Sequence, residues 1–249
     1  MLILIVCGLA RSLLGAGMEE GGMVVLVDNG HGRQTPGKRS PDGSLLEWEW
    51  TRGAAASVVS ELRSRGVDAR ILVPEDDDVP LAERVRRVDA VCDSVGASRV
   101  LLVSVHVNAS GSGQQWMPAS GWSAYTSPGH TRADSLADCL YRAARAACAS
   151  GSDGLDHGLS SFRIRTDYGD GDADFEAPFY LLRRTRCAAV LTENFFMDNR
   201  SDHALLLSER GRRLVVAIHV VGILMYISGL CALLLLCFGG RPGRRDEIL

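Results

Sequence analysis

At 249 residues the chain is long enough to bury a full core, most simply as one α/β domain with extensions. Charged residues make up 23% and the net charge is −3, with no useful basic run inside the domain, so the charge balance makes no case for a nucleic-acid partner. None of the seven cysteines forms a C-x-x-C pair and their number is odd, which argues against a thiolate zinc site and a disulfide framework; they read as buried or membrane-facing free thiols.

Residues 1–22 read as an apolar N-terminal extension. Leu2 to Ala10 makes a poor signal peptide, because no Lys or Arg precedes it and Arg11 follows at once; Met18 or Met23 offers a later start. Val24-Val25-Leu26-Val27 is aliphatic throughout and predicts a strand covered on both faces. It runs into Asp28-Asn29-Gly30-His31-Gly32, where the glycines allow a sharp turn at the strand's carboxyl end. Open α/β sheets place their ligands along that edge.

Gln34 to Gly43 reads as loop. Leu45 to Arg65 predicts a helix with Leu46, Trp50, Ala54, Val58 and Leu62 on one stripe, a capping box from Ser44 to Glu47, and Gly66 as its stop. Val67 to Val73 is the second strand. The acidic run Glu75 to Asp78 is expected to stabilise the start of the next helix, Leu81 to Val95. Arg99 to Val107 is the third strand and delivers His106. A short strand over Gly121 to Thr126 and a helix over Ala133 to Ala149 follow.

Ser150 to Pro178 breaks the pattern. A segment that long without periodicity, rich in Gly and Asp, is usually functional or disordered. Ala188 to Thr192 is the last strand, running into Glu193, and Asp202 to about Tyr226 closes the domain as one helix. Leu214 to Phe238 is almost uncharged and about long enough to cross a bilayer, with Arg241, Arg244 and Arg245 after it. Alternatively the run divides near Tyr226-Ile227-Ser228-Gly229 into a core helix and a short apolar tail; His219 and Gly222 favour the division.

Alternating strands and helices predict a single α/β domain, a mainly parallel twisted sheet with helices on both faces. The expected division is an extension at 1–22, the domain at 23–228 and an apolar tail at 229–249.

Three predicted strands end in polar residues that can meet at one edge: His31, His106 and Glu193. The first helix supplies Glu47 and Glu49 near its start. Two imidazoles and a carboxylate make a catalytic zinc set, and a further carboxylate is needed to move protons. Glu193, following an apolar strand, suits that part. Each has a plainer alternative: hydrogen-bonded structural histidines, Glu47 as a capping acid only, Glu193 as a cap or an arginine partner.

Taken together, His31 in Asp-Asn-Gly-His-Gly, the downstream Glu47, His106 in Ser-Val-His-Val-Asn-Ala, and Glu193 in Val-Leu-Thr-Glu-Asn-Phe-Phe-Met-Asp-Asn resemble the zinc-dependent N-acetylmuramoyl-L-alanine amidases (amidase type 3 catalytic domain), across about Met23 to Ile227. The resemblance implies a phosphorylase/hydrolase-like fold. It implies zinc on His31, Glu47 and His106, with Glu193 as general acid/base. The substrate would be the amide between N-acetylmuramic acid and L-alanine in peptidoglycan. Glu47 is preferred to Glu49 because the family's ligand glutamate lies about two helical turns before a small pair, here Ala54-Ala55. Glu49 would lie about 200° around the helix, so both cannot face one metal.

Asp28 or Asn108 is a candidate to orient a ligating imidazole, and Arg163 or Arg165 to hold a stem carboxylate. The remaining expectations are a monomer acting in the cell envelope, periplasmic or extracellular, with possible membrane association through the C-terminal apolar run. Two other functions fit the same fold: a non-catalytic wall-binding module, and a zinc amidohydrolase or carboxypeptidase acting on another amide.

Overall fold

The computed structural model describes residues 22–149 and 162–229. The N-terminal extension up to residue 21, the first part of the predicted long loop (150–161), and the tail from 230 with its three arginines lie outside the described residues.

Six strands form one sheet: β1 (Val24–Asn29), β2 (Asp68–Ile71), β3 (Val100–Asn108), β4 (Ser123–Thr126), β5 (Phe175–Glu176) and β6 (Ala188–Phe196). Their order is β2-β1-β3-β6-β4-β5. The first four are mutually parallel, β4 runs antiparallel to β6, and β5 parallel to β4. The helices are α1 (Glu47–Arg63), α2 (Leu81–Val95), α3 (Arg132–Ala149), α4 (Tyr180–Arg184), α5 (Arg200–Leu207) and α6 (Glu209–Ile227).

The period-two alternation of each central strand divides the apolar residues between two cores. Val25, Val27, Leu101, Val103 and Val105 face α1, α3 and α6 through Ala54, Val58, Leu136, Leu140 and Ile218. Val24, Leu26, Val100, Leu102 and Leu191 face α2 and α4 through Val88, Cys92 and Leu181. Burial on both faces is why these strands read as continuous aliphatic runs.

Three local expectations give way to tertiary contacts. The capping box does not form: the N-cap of α1 is Leu46, with no side-chain cap, and the Ser44 hydroxyl donates to Asp42 instead. Glu47 is turned inward and buried. The acidic run lies ahead of Pro80, the N-cap of α2, and ties loops together. Asp76 pairs with Arg33, Glu75 with Arg87, and Asp78 accepts from Thr35 and Arg84. The predicted closing helix is two helices, broken at Ser208, whose extended backbone and side chain cap the Gly211 N–H of α6.

Of the two readings of the C-terminal run, the described residues agree with the division near Gly229 rather than with a membrane span. Leu214, Val215, Ile218 and Ile223 on α6 are core residues. Gly222 lets α6 approach α3 closely, since a Cβ there would lie 2.7 Å from Leu140 Cδ2 and 2.9 Å from its Cα. His219 is fully buried between Thr192 and the Val215 carbonyl. α6 ends at Ile227, and among the described residues no helix is long and apolar enough to cross a membrane. The described part of the run is therefore domain interior, which gives membrane association no support.

Candidate metal centre

The carboxyl ends of β1, β3 and β6 lie side by side in the middle of the sheet, where β6 meets its antiparallel neighbour β4. His31 stands two residues past the end of β1, with φ of 64°, an uncommon conformation for a residue with a side chain. The turn is fixed from several sides. Gly30 N–H donates to the Val105 carbonyl at 3.0 Å, and the Thr51 hydroxyl donates to the Gly30 carbonyl at 3.0 Å. Arg52 and Arg84 both donate to the His31 carbonyl. Gly30 must be glycine because a Cβ would fall 2.4 Å from His106 Cε1.

Arg84 was not singled out from the sequence. It is buried on α2, donating to the Asp28 carboxylate at 2.7 Å and to the Val79 and Asn29 carbonyls at 2.9 and 2.8 Å. The signal was present: Arg84, Val88 and Cys92 fall four apart on one helical stripe, an arginine among core residues.

The first turn of α1 brings Glu47 under both imidazoles. Its Oε1 lies 3.1 Å from His106 Nδ1 and 3.4 Å from His31 Nε2, and accepts the Val107 N–H at 3.1 Å. Its Oε2 is buried with no hydrogen-bond partner among the described residues. Burial raises the Glu47 pKa, but the hydrogen bonds and charges of His106 and His31 outweigh it and hold the carboxyl well below its usual range. For His106, burial works against the proton while Glu47 favours it more, so its pKa is raised. The rings of His31 and His106 stand edge to face with centroids 5.0 Å apart. One donor atom from each of His31, Glu47 and His106 lies within 4.8 Å of the other two. Two nitrogens and a carboxylate with an orphaned second oxygen suit a tetrahedral divalent metal with one open position.

Glu193 stands beside this group, because β6 places it in register with His106. Its Oε2 also lacks a hydrogen-bond partner among the described residues. Burial pushes the carboxyl up to about 7, against the pull of His106, Lys38 and Arg165 and with the push of Glu47. Asn194 secures the neighbouring backbone, donating to the His106 carbonyl at 2.9 Å and accepting from the Trp122 indole at 3.0 Å. The register between β3 and β6 shifts just beyond this point, and Phe195 has φ of 65°. A cavity of about 400 Å³ opens over the group, lined also by Lys38, Phe179 and Tyr180.

The other predicted residues divide. Glu49 is exposed, on the far side of α1 from the imidazoles. Asp28 is taken by Arg84 and Ser104, and the Asn108 carboxamide accepts from Ala109 N–H, so neither orients an imidazole. Arg165 lies over the rings of Phe175 and Phe196, close enough to act on Glu193, whereas the Arg163 side chain is exposed.

Comparison with known proteins agrees with this geometry. The family described as N-acetylmuramoyl-L-alanine amidase matches residues 25–224. An endolysin of Bacillus phage SPP1 is 29% identical over 204 residues, 80% of this chain and 64% of the relative, so the chain spans under two thirds of that relative's length. The fold is shared with the catalytic domain of an N-acetylmuramoyl-L-alanine amidase from Bacillus (Paenibacillus) polymyxa var. colistinus, at TM-score 0.65 and 22% identity, covering 82% of this chain and 98% of that one. It is shared also with an N-acetylmuramoyl-L-alanine amidase from Clostridium difficile 630, at TM-score 0.66 and 21% identity, covering 84% and 98%.

Proposed function

Since the chain belongs to the N-acetylmuramoyl-L-alanine amidase family, we propose that it cleaves peptidoglycan at the amide joining the lactyl group of N-acetylmuramic acid to L-alanine, with one zinc ion held by His31, Glu47 and His106. The reading rests on a single observation: the three donors converge within 4.8 Å beside Glu193, whose buried Oε2 has no hydrogen-bond partner among the described residues. When bound, zinc would lower the pKa of water and polarise the scissile carbonyl.

The chain's own residues do the rest. Glu193, with its affinity for a proton raised to near neutrality, takes a proton from the attacking water at Oε2 and returns it to the departing L-alanine nitrogen. Arg84 and Gly30 keep His31 and His106 aimed at Glu47. Lys38 and Arg165 bring positive charge to the rim, where an anionic stem peptide would lie. An enzyme of this kind works in the cell wall.

Metal analysis combined with mass spectrometry of digested muropeptides tests the reading. One zinc per chain and release of intact stem peptides from the glycan support it. Binding to walls without release of stems would make the chain a silent wall-binding module. Release of single amino acids from the stem would make it a carboxypeptidase.

A further inference from the structure

Two thiols meet on the sheet face covered by α2 and α4, near the edge away from the metal group. Cys92 lies in the last turn of α2, and Cys187 directly precedes β6. Both belong to the same core, at 3% and 8% exposure. Both are free, and each thiol is the other's side-chain hydrogen-bond partner.

The approach is fixed from outside the pair. Arg186, next to Cys187, donates its N–H to the Asp89 carboxylate at 3.4 Å. Its guanidinium donates to the Asp89 carbonyl at 2.9 Å and to the Asp93 carboxylate at 2.6 Å. Asp89 and Asp93 bracket Cys92 on one turn of α2. The bonds of a single residue therefore hold the chain at Cys187 against the turn that carries Cys92, whatever the sulfur atoms do. Cys92 shares its buried stripe with Arg84 and Val88, so it points at the sheet.

A cavity of about 640 Å³ between α4 and the start of β6 reaches Cys187, with Thr185, Arg186 and Ala188 in its wall. Burial pushes the Cys187 thiol up to about 12, and it raises Cys92 as well. Thiolate is the species that exchanges, so the pair reacts slowly once folded and readily while the chain is still folding.

We propose that Cys92 and Cys187 close a disulfide as the chain folds in an oxidising compartment. That compartment follows from the cell-wall reading; the pairing itself does not rest on it. The oxidant is a disulfide, either a small molecule or an oxidoreductase. The Cys187 thiolate attacks one of its sulfurs, expels a thiol and is left as a mixed disulfide. The Cys92 thiolate then attacks the Cys187 sulfur and expels the second thiol. Two protein thiols are oxidised and one disulfide is reduced to two thiols, which take up the two protons by way of water. The bridge closes a loop of about 95 residues, and long loops restrict the unfolded chain most. It joins α2, which carries Arg84, to β6, which carries Glu193 about 20 Å further along the strand.

Refolding the reduced full chain in a buffer of reduced and oxidised glutathione, then digesting it without reductant for mass spectrometry, tests this. The expected product is a peptide pair joined through Cys92 and Cys187, two hydrogens lighter than its parts. The bridged chain should melt about 5–15 °C above the chain refolded with dithiothreitol. Cys92→Ala and Cys187→Ala should each melt alike under both conditions. Recovery of both cysteines as free thiols from the parent would overturn the proposal. So would either one bridged to another of the chain's seven cysteines, or a bridged chain that melts no higher than the reduced one. Zinc content and muropeptide release, measured on the same samples, test the amidase reading separately.

Discussion

Arg84 donates to Asp28 at 2.7 Å with both side chains almost fully buried, and the same guanidinium holds the carbonyls around His31. The pair is a bolt beneath the turn that aims an imidazole. Removing one partner leaves a buried charge uncompensated, the costly way to break such a pair. Arg84→Met is expected to lower the stability of the metal-free chain by about 3–5 kcal/mol in urea unfolding. A loss below about 1 kcal/mol would show that the turn is held by its other contacts.

Gly30 gives a test that leaves the core alone. The Cβ of Gly30→Ala would meet the His106 ring at 2.4 Å, so the ring must move away from Glu47. Zinc affinity is expected to fall about tenfold or more while the circular dichroism spectrum is unchanged, as misplaced ligands and their supports commonly cost that much. Unaltered affinity, measured by competition with a chromogenic chelator, would mean the ring does not need its present position.

Glu193→Gln keeps the shape and removes the titrating group. The variant should retain its zinc and lose about 10²–10⁴-fold in kcat, the usual worth of a positioned acid–base group. His31→Ala should lose both metal and activity. Near-normal turnover in Glu193→Gln would move the proton carrier elsewhere.

His219 supplies the pH dependence of folding. Burial lowers its pKa to about 4, from an ordinary value of 6.5, and outweighs the Val215 carbonyl, which faces Nδ1 and favours the proton. The folded chain therefore holds His219 neutral while the unfolded chain takes up a proton. Stability from this group is complete above pH 6.5 and is lost as pH falls toward 4, at up to about 1.4 kcal/mol per pH unit. His219→Gln should be flatter by that amount in urea unfolding between those limits. Equal slopes would show that other groups govern acid unfolding.

Much of the scaffold could be read in the chain because its cause is local. Val24 to Val27 and Val100 to Val103 are aliphatic where both faces are covered, and the bounds Leu81–Val95 agree with the observed helix. Two of the failures concern partners distant in sequence. Ser44 and Glu47 have capping-box spacing, but Glu47 is drawn inward by His31 and His106. Glu75 to Asp78 look like helix-start acids, yet find Arg33, Arg87 and Thr35. The break at Ser208 is hidden because apolar periodicity continues across it. At the candidate site, the strand-end residues were visible as polar punctuation after apolar runs. The residues that steady them, Arg84, Asn194 and Lys38, carry no such mark except for Arg84's place on a buried stripe.

His106 and Glu193 occupy matched rungs on adjoining parallel strands. Their separation is thus set by main-chain hydrogen bonding, which no single side-chain replacement can loosen. Rim residues such as Lys38, Phe179 and Tyr180 sit on loops and a short helix outside that ladder. Exchanging rim segments is expected to change what the cavity accepts without altering the distance between Glu193 and His106.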